Sequence, residues 1–263
     1  MEFQGQTVLV TGSSSGIGAV FAREFAARGA NLVLVARTES ALDQLAAELR
    51  AAHGVRADVL PADLTAPRAG AALADRIDEL GLRVDVLVNN AGFADYGDLA
   101  GADLDRLLAQ VQLNCAAVLD LTGRFLPAMV RRGAGVIVNV ASTAAFQPLP
   151  HMAVYGATKA FVLSLTEALW AENRNTGVRF LALCPGATET AFFDVVGADE
   201  ASVGSRQTPE QVVAVAFRAL RKGRQTVVSG RRNALSTRLP RLVPRRTILT
   251  VTDRLLRPRT ATR

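Results

Sequence analysis

Seven short apolar runs, rich in β-branched residues, recur along the chain: TVLVT (7–11), NLVLVA (31–36), DVLPA (58–62), VDVLVN (84–89), GVIVNV (135–140), VRFLALC (178–184) and QTVVS (225–229). Most are apolar at consecutive positions instead of alternating. That is the pattern of strands buried on both faces, as parallel sheets require. Between them the apolar positions change to helical spacing. AVFAREFAARG (19–29) and ESALDQLAAELRAAHG (39–54) close on Gly29 and Gly54, residues that favour a helix stop. Strand alternating with helix predicts an α/β fold of the Rossmann type: a doubly wound parallel sheet of about seven strands in a three-layer α/β/α stack. No repeat or low-complexity linker interrupts the pattern before residue 231. One catalytic domain is therefore expected over residues 1–230, followed by a basic, arginine-rich extension over 231–263.

The first strand runs directly into TGSSSGIG (11–18), which runs directly into a helical pattern. Gly12 allows a tight turn, and Gly16 and Gly18 lack side chains that would hold a pyrophosphate away from the backbone. The amides and dipole of a helix N-terminus favour an anion there. Ser13, Ser14, Ser15 and Ile17 complete the loop. The spacing is T-G-x-x-x-G-x-G and not the G-x-G-x-x-G of the common dinucleotide fingerprint; its position between first strand and first helix carries the reading. Arg37 follows the second strand, where an acidic residue would take ribose hydroxyls and an arginine accommodates a 2′-phosphate. Arg37 points to NADP(H) in preference to NAD(H), with Ser13 and Ser14 as hydroxyl partners; Glu39, two residues on, pulls the other way.

Composition changes the picture in two places. The 263 residues are 49% hydrophobic with no run of eighteen apolar residues, so a soluble, cytoplasmic enzyme without a membrane span or signal peptide is expected. Cys115 and Cys184 sit far apart in apolar surroundings and read as reduced core residues, with no metal expected. The charge is uneven: residues 231–263 hold ten arginines and one aspartate, a net +9 against +6 for the whole chain, which leaves −3 for residues 1–230. The high isoelectric point thus belongs to the tail.

YGATK (155–159) places Tyr155 and Lys159 on one helical face. An ammonium beside a phenol favours tyrosinate and lowers its pKa, giving a group able to exchange a proton with a carbonyl or alcohol oxygen. Y-x-x-x-K alone is common. Here, however, Lys159 and Lys222 are the only lysines among thirty Lys and Arg residues, so a compact ammonium has been kept where arginine is used nearly everywhere else.

Taken together, these segments resemble the short-chain dehydrogenase/reductase (SDR) family over about residues 5–230. TGSSSGIG is similar to its cofactor loop, and NNAG (89–92), with Asn90, Ala91 and Gly92, to its motif after the fourth strand. Asn114 in VQLNC, Ser142 after the fifth strand and YGATK thirteen residues later fall in the family's order, as do Asp63-Leu64, where it holds the adenine, and PGATET (185–190). The resemblance implies a catalytic set of Ser142, Tyr155, Lys159 and Asn114. Lys159 would also hold the nicotinamide ribose, Ser142 would bond the substrate oxygen, and Asn114 would hold a water relaying protons from Lys159. Pro185, Gly186, Thr188 and Thr190 would lie beside the nicotinamide; PGATET carries Thr188 where an aliphatic residue is frequent, so the roles of Thr188 and Thr190 stay open. The resemblance also implies a homodimer or homotetramer.

The substrate side reads as apolar. Phe192, Phe193, Val195 and Val196 follow PGATET, and Phe93, Phe146, Leu149 and Met152 come from other loops, a set suited to an apolar ketone or aldehyde such as a 3-oxoacyl or steroid-like compound. A sugar or polyol dehydrogenase, or a non-catalytic dinucleotide sensor, is the alternative. His151 is read as a structural or solvated loop residue in preference to a substrate contact. In the tail, Arg245 to Leu256 forms a short amphipathic helical pattern. It packs on its own body or a neighbouring subunit, or rests peripherally on an anionic membrane. With no aromatic residue to stack bases, nucleic acid is not expected as a partner.

Overall fold

In the computed structural model, which describes residues 3–190, 206–241 and 243–257, the seven apolar runs become seven strands. These are β1 (Thr7–Thr11), β2 (Asn31–Val35), β3 (Ala57–Val59), β4 (Val86–Asn89), β5 (Gly135–Val140), β6 (Val178–Cys184) and β7 (Thr226–Val228). All pair in parallel, in the order β3-β2-β1-β4-β5-β6-β7. The third strand stops short of the run that predicted it. Pro61 has no amide to give to the ladder, although Leu60 and Ala62 on either side still donate to Leu34 and Ala36.

The helices are α1 (Gly16–Ala26), α2 (Glu39–His53), α3 (Ala69–Glu79), α4 (Leu104–Val111), α5 (Ala117–Arg131), α6 (Ala153–Glu172), α7 (Pro209–Arg221), α8 (Arg231–Ser236) and α9 (Arg245–Leu256). Strand periodicity divides the core between the two faces of the sheet. Val8 and Val10 of β1, with Leu32 and Leu34 of β2, meet α1, α2 and α7, where Phe3, Phe21, Phe25 and Phe217 cluster. Leu9, Val33 and Val35 point the other way, towards Leu73 and Ile77 of α3 and Leu121 and Met129 of α5. The helical stretch Leu104–Arg131 is long and apolar enough by composition to cross a membrane. Its Ala117, Leu121 and Met129 are buried against the sheet instead.

Two features of this frame place the site. The strand order reverses beside β1, so the carboxyl ends of β1 and β4 splay into a crevice at the switch point. A buried polar relay also fixes α6 to the sheet: Asn89 donates to Asn139, which donates to Thr166, which donates to the Val162 carbonyl. Each of these groups would be costly to bury unpaired. The tail packs on its own body. Tyr96 donates its hydroxyl to the Leu256 carbonyl at 2.6 Å, and Thr252 and Leu256 are buried.

Candidate active site

The loop after β1 is held by its neighbour strand. The Thr11 hydroxyl accepts the amides of Asn90 and Ala91, both at 3.0 Å, and the Asn90 amide returns bonds to the carbonyls of Thr11 and Gly12. Gly12 is bare because a Cβ there would meet Asn90 and Ala91 at 2.9 Å. Gly18 is buried, and its Cβ would stand 2.2 Å from the Gly12 carbonyl. That close approach seats α1 on the loop, and Gly18 itself does not line the cleft. Gly16, with φ +54°, does line the cleft, beside Ile17 and Ser15. Ser15 at the N-cap makes no side-chain capping bond and the first turn of α1 holds no acid, so the positive end of the helix is not offset there. The bare cradle and uncapped helix fit a dinucleotide phosphate.

Further along the same wall, Arg37 is exposed and, among the described residues, enters no ion pair. Ser14 lines the cleft, but Ser13 does not: its buried hydroxyl donates to the Val35 carbonyl at 3.4 Å. Asp63 accepts the amide and hydroxyl of Thr65, bonds that hold its carboxyl below the usual range. It lines the cleft with the largely buried Leu64.

At the other end of the cleft stand Ser142, Tyr155 and Lys159. Ser142 follows β5 and opens a short 3₁₀ turn, where its oxygen accepts the Ala144 amide at 3.1 Å. It also hydrogen-bonds the Tyr155 phenol. Tyr155 and Lys159 come from successive turns of α6, with the ammonium 5.8 Å from the ring centre. Lys159 is buried and donates to the Val140 carbonyl at 2.8 Å. Gly92 lets the NNAG turn pass close, since a Cβ there would lie 2.9 Å from the Asn114 oxygen and 3.5 Å from the Lys159 nitrogen. Asn114 sits in a π-helical turn, Gln112–Ala116, between α4 and α5, a distortion that often marks a functional position. Its amide donates to the Phe93 carbonyl and the Thr158 hydroxyl, and its oxygen accepts the Phe93 amide.

The electrostatics correct one expectation. Burial pushes the Tyr155 phenol up to about 12, with the Ser142 hydrogen bond acting against it, so the phenol is not lowered by Lys159. The same burial brings Lys159 down to about 8, against the pull of Cys115 and Cys184. Desolvation disfavours the charged form of each group. Through neutral pH the phenol is therefore protonated, and the amine is mostly so.

The sequence model of the short chain dehydrogenase family matches residues 6–201. This chain belongs to that family. The ketoacyl reductase HetN of a Nostoc species is 32% identical over 240 residues, spanning 91% of this chain and 83% of that protein. Among solved structures, a short-chain dehydrogenase from Sphingobium yanoikuyae in complex with NADPH is 36% identical with a TM-score of 0.83, covering 98% of each chain. An SDR from Burkholderia phymatum in complex with NAD is 28% identical with a TM-score of 0.81, covering 92% of this chain and 95% of that one. The chain is thus an SDR oxidoreductase with a seven-stranded Rossmann-type sheet.

In this SDR the PGATET loop lines the cleft that also holds Ser142 and Tyr155. Pro185 accepts the Thr143 amide, and Thr188 donates to the Gly186 carbonyl while pairing with Gln207 in a short parallel bridge. The Thr188 hydroxyl is therefore spent on its own loop, and Thr190, at the cleft, donates to Thr188. Phe93, Phe146, Leu149 and Met152 all line the cleft, as read from the sequence. Phe192, Phe193, Val195 and Val196 lie outside the described residues. Lining residues from the tail, Arg232, Asn233, Thr252, Leu255 and Leu256, were not anticipated. The only signal for them was the i, i+4, i+8 spacing of Ile248, Thr252 and Leu256, which marks a packed face but not what it packs on. Among the described residues no cluster of His, Cys, Asp or Glu could hold a metal, and both cysteines are free.

Proposed function

We propose that this SDR uses NADP(H) in preference to NAD(H) to reduce an apolar ketone or aldehyde, of the 3-oxoacyl or steroid-like kind. The observation that carries the reading is one continuous cleft of about 780 Å³. It has Arg37 at one end, and Ser142 and Tyr155 beneath apolar side chains at the other. We assign Arg37 and Ser14 to a 2′-phosphate, a reading supported by the likeness to an NADPH-bound structure. Gly12, Gly16 and Ile17 would seat the pyrophosphate, Asp63 and Leu64 the adenine, and Pro185, Gly186 and Thr190 the nicotinamide. The dinucleotide, when bound, supplies the hydride.

The chain's own residues manage the proton. Tyr155, protonated through neutral pH, donates to the carbonyl oxygen, and the Ser142 hydroxyl hydrogen-bonds that oxygen as negative charge develops. Lys159 restores the phenol's proton, its lowered pKa making it a ready acid near neutrality. Asn114 is committed to Phe93 and Thr158, so its part is to lock the NNAG turn against α6 and keep Lys159 in register. Leu104, Leu108, Val111 and Leu119 expose apolar side chains along α4 and α5, and Phe161 does so on α6. We place a homo-oligomer contact there. The test is NADPH consumption by the purified protein against 3-oxoacyl thioesters, ring ketones, aliphatic aldehydes and sugars. Turnover of an apolar class is the expected result; turnover of sugars alone would overturn the substrate reading.

A further inference from the structure

The arginine-rich tail ends in a helix that lies against the catalytic end of the cleft. Thr252, Leu255 and Leu256 of α9 line the same cleft as Ser142 and Tyr155. Leu256 is buried, whereas Leu255 is 55% exposed, an apolar side chain left uncovered at the edge of the cleft. Two anchors hold the helix. The Tyr96 hydroxyl donates to the Leu256 carbonyl at 2.6 Å. His151 lies between two carboxylates, with Nδ1 2.7 Å from Asp98 and Nε2 3.1 Å from Asp253 of α9. The Asp253 carboxylate is shared with Arg257, whose guanidinium reaches its other oxygen.

His151 is itself held in an unusual backbone state. Its φ of +61° is in the left-handed region, where a residue with a Cβ is rarely found. Its carbonyl accepts the Gly97 amide at 2.8 Å. It stands four residues before Tyr155, directly ahead of the first turn of α6. The loop after β4, the start of the catalytic helix and the C-terminal helix therefore meet at one side chain.

We propose that α9 is the specificity wall of the substrate pocket, with Leu255 and Leu256 meeting the apolar body of the carbonyl substrate opposite Leu149 and Met152. His151, Asp98, Asp253 and Tyr96 are positioning residues that set how close the wall stands to Tyr155. The proposal rests on the reductase function above and extends it by assigning substrate length discrimination to the tail.

The variants that test it are Asp253→Asn and Tyr96→Phe, with Asp253→Glu as the conservative control. Steady-state kcat and KM are measured on a series of 3-oxoacyl thioesters from four to twelve carbons. The expected result is a KM raised roughly tenfold for the long substrates in Asp253→Asn and Tyr96→Phe, for loss of a seated apolar wall. The four-carbon compound keeps its KM, kcat stays within about twofold throughout, and Asp253→Glu recovers most of the long-chain KM. An equal change at every chain length, or none, would overturn it. Hydrogen exchange of amides 248–256 gives a reading independent of substrate: faster exchange in Asp253→Asn supports the latch, and unchanged exchange overturns it. Absence of wild-type turnover on every carbonyl would count against the reductase function, and the exchange experiment would still decide whether His151 and Asp253 seat the helix.

Discussion

Burying Lys159 costs the fold stability, and replacing it with methionine should make the protein more stable and, under the proposed mechanism, inactive. The side chain is 6% exposed, and burial lowers its pKa from 10.5 to about 8. At about 1.4 kcal/mol per unit, the ionised lysine costs the fold roughly 3 kcal/mol at pH 7 relative to the unfolded chain. The sign follows from which state holds the proton. Between pH 8 and 10.5 the unfolded chain binds more protons at this site, so the penalty is complete below pH 8 and fades as pH rises. Cys115, Cys184 and Tyr155, all raised by burial, act in the opposite sense as their unfolded forms ionise, the cysteines from about pH 8 upward. Between pH 8 and 9 the Lys159 effect is the larger, so wild-type stability should rise there. Lys159→Met removes the charge but also leaves the Val140 carbonyl without its donor, at a cost of about 1–2 kcal/mol. The net expectation is a gain of about 1–2 kcal/mol at pH 7, shrinking by pH 9. Urea unfolding of the cofactor-free protein at both pH values measures it. A variant destabilised at pH 7, or a wild type whose stability falls between pH 8 and 9, would refute the reasoning.

Two further outcomes follow from other parts of the molecule. Arg37→Asp should weaken NADPH roughly a hundredfold and leave NADH within about threefold, read by fluorescence titration, because a carboxylate would face the 2′-phosphate in place of a guanidinium; equal losses for both cofactors would remove Arg37 from the phosphate site. Leu108 and Leu119 are 56% and 50% exposed on α4 and α5. Leu108→Glu with Leu119→Glu should convert an oligomer to monomers in sedimentation equilibrium, and an unchanged mass would place the contact elsewhere.

The strands were legible because parallel strands buried on both faces leave continuous apolar runs. The limits of α9, Arg245 to Leu256, were also readable from its apolar spacing. Its landing place was not. The contacts that seat it come from Tyr96, Asp98 and His151, each a hundred residues or more away in sequence, and no local pattern encodes them. Three consecutive serines after Gly12 look alike in the sequence, but the turn sends the Ser13 side chain to Val35 and leaves Ser14 at the cleft. The direction of the Tyr155 shift was misread for a related reason. The i, i+4 spacing shows an ammonium near the phenol, but the depth at which both are buried is a property of the assembled fold, and depth decides the sign. The π-helical turn at Asn114 was invisible as well, since its residues have ordinary helical propensity.

In the proposed mechanism Tyr155 delivers the proton while the rest of the cleft holds the cofactor and substrate. The most direct measurement is a single-turnover reaction of Tyr155→Phe with NADPH and an apolar ketone that the wild type reduces, beside a fluorescence titration of NADPH on the same protein. The account predicts NADPH binding within about twofold of wild type and a reduction step slower by about a thousandfold, within the range for a lost general acid. A Tyr155→Phe protein that reduces the ketone at close to the wild-type rate would contradict it.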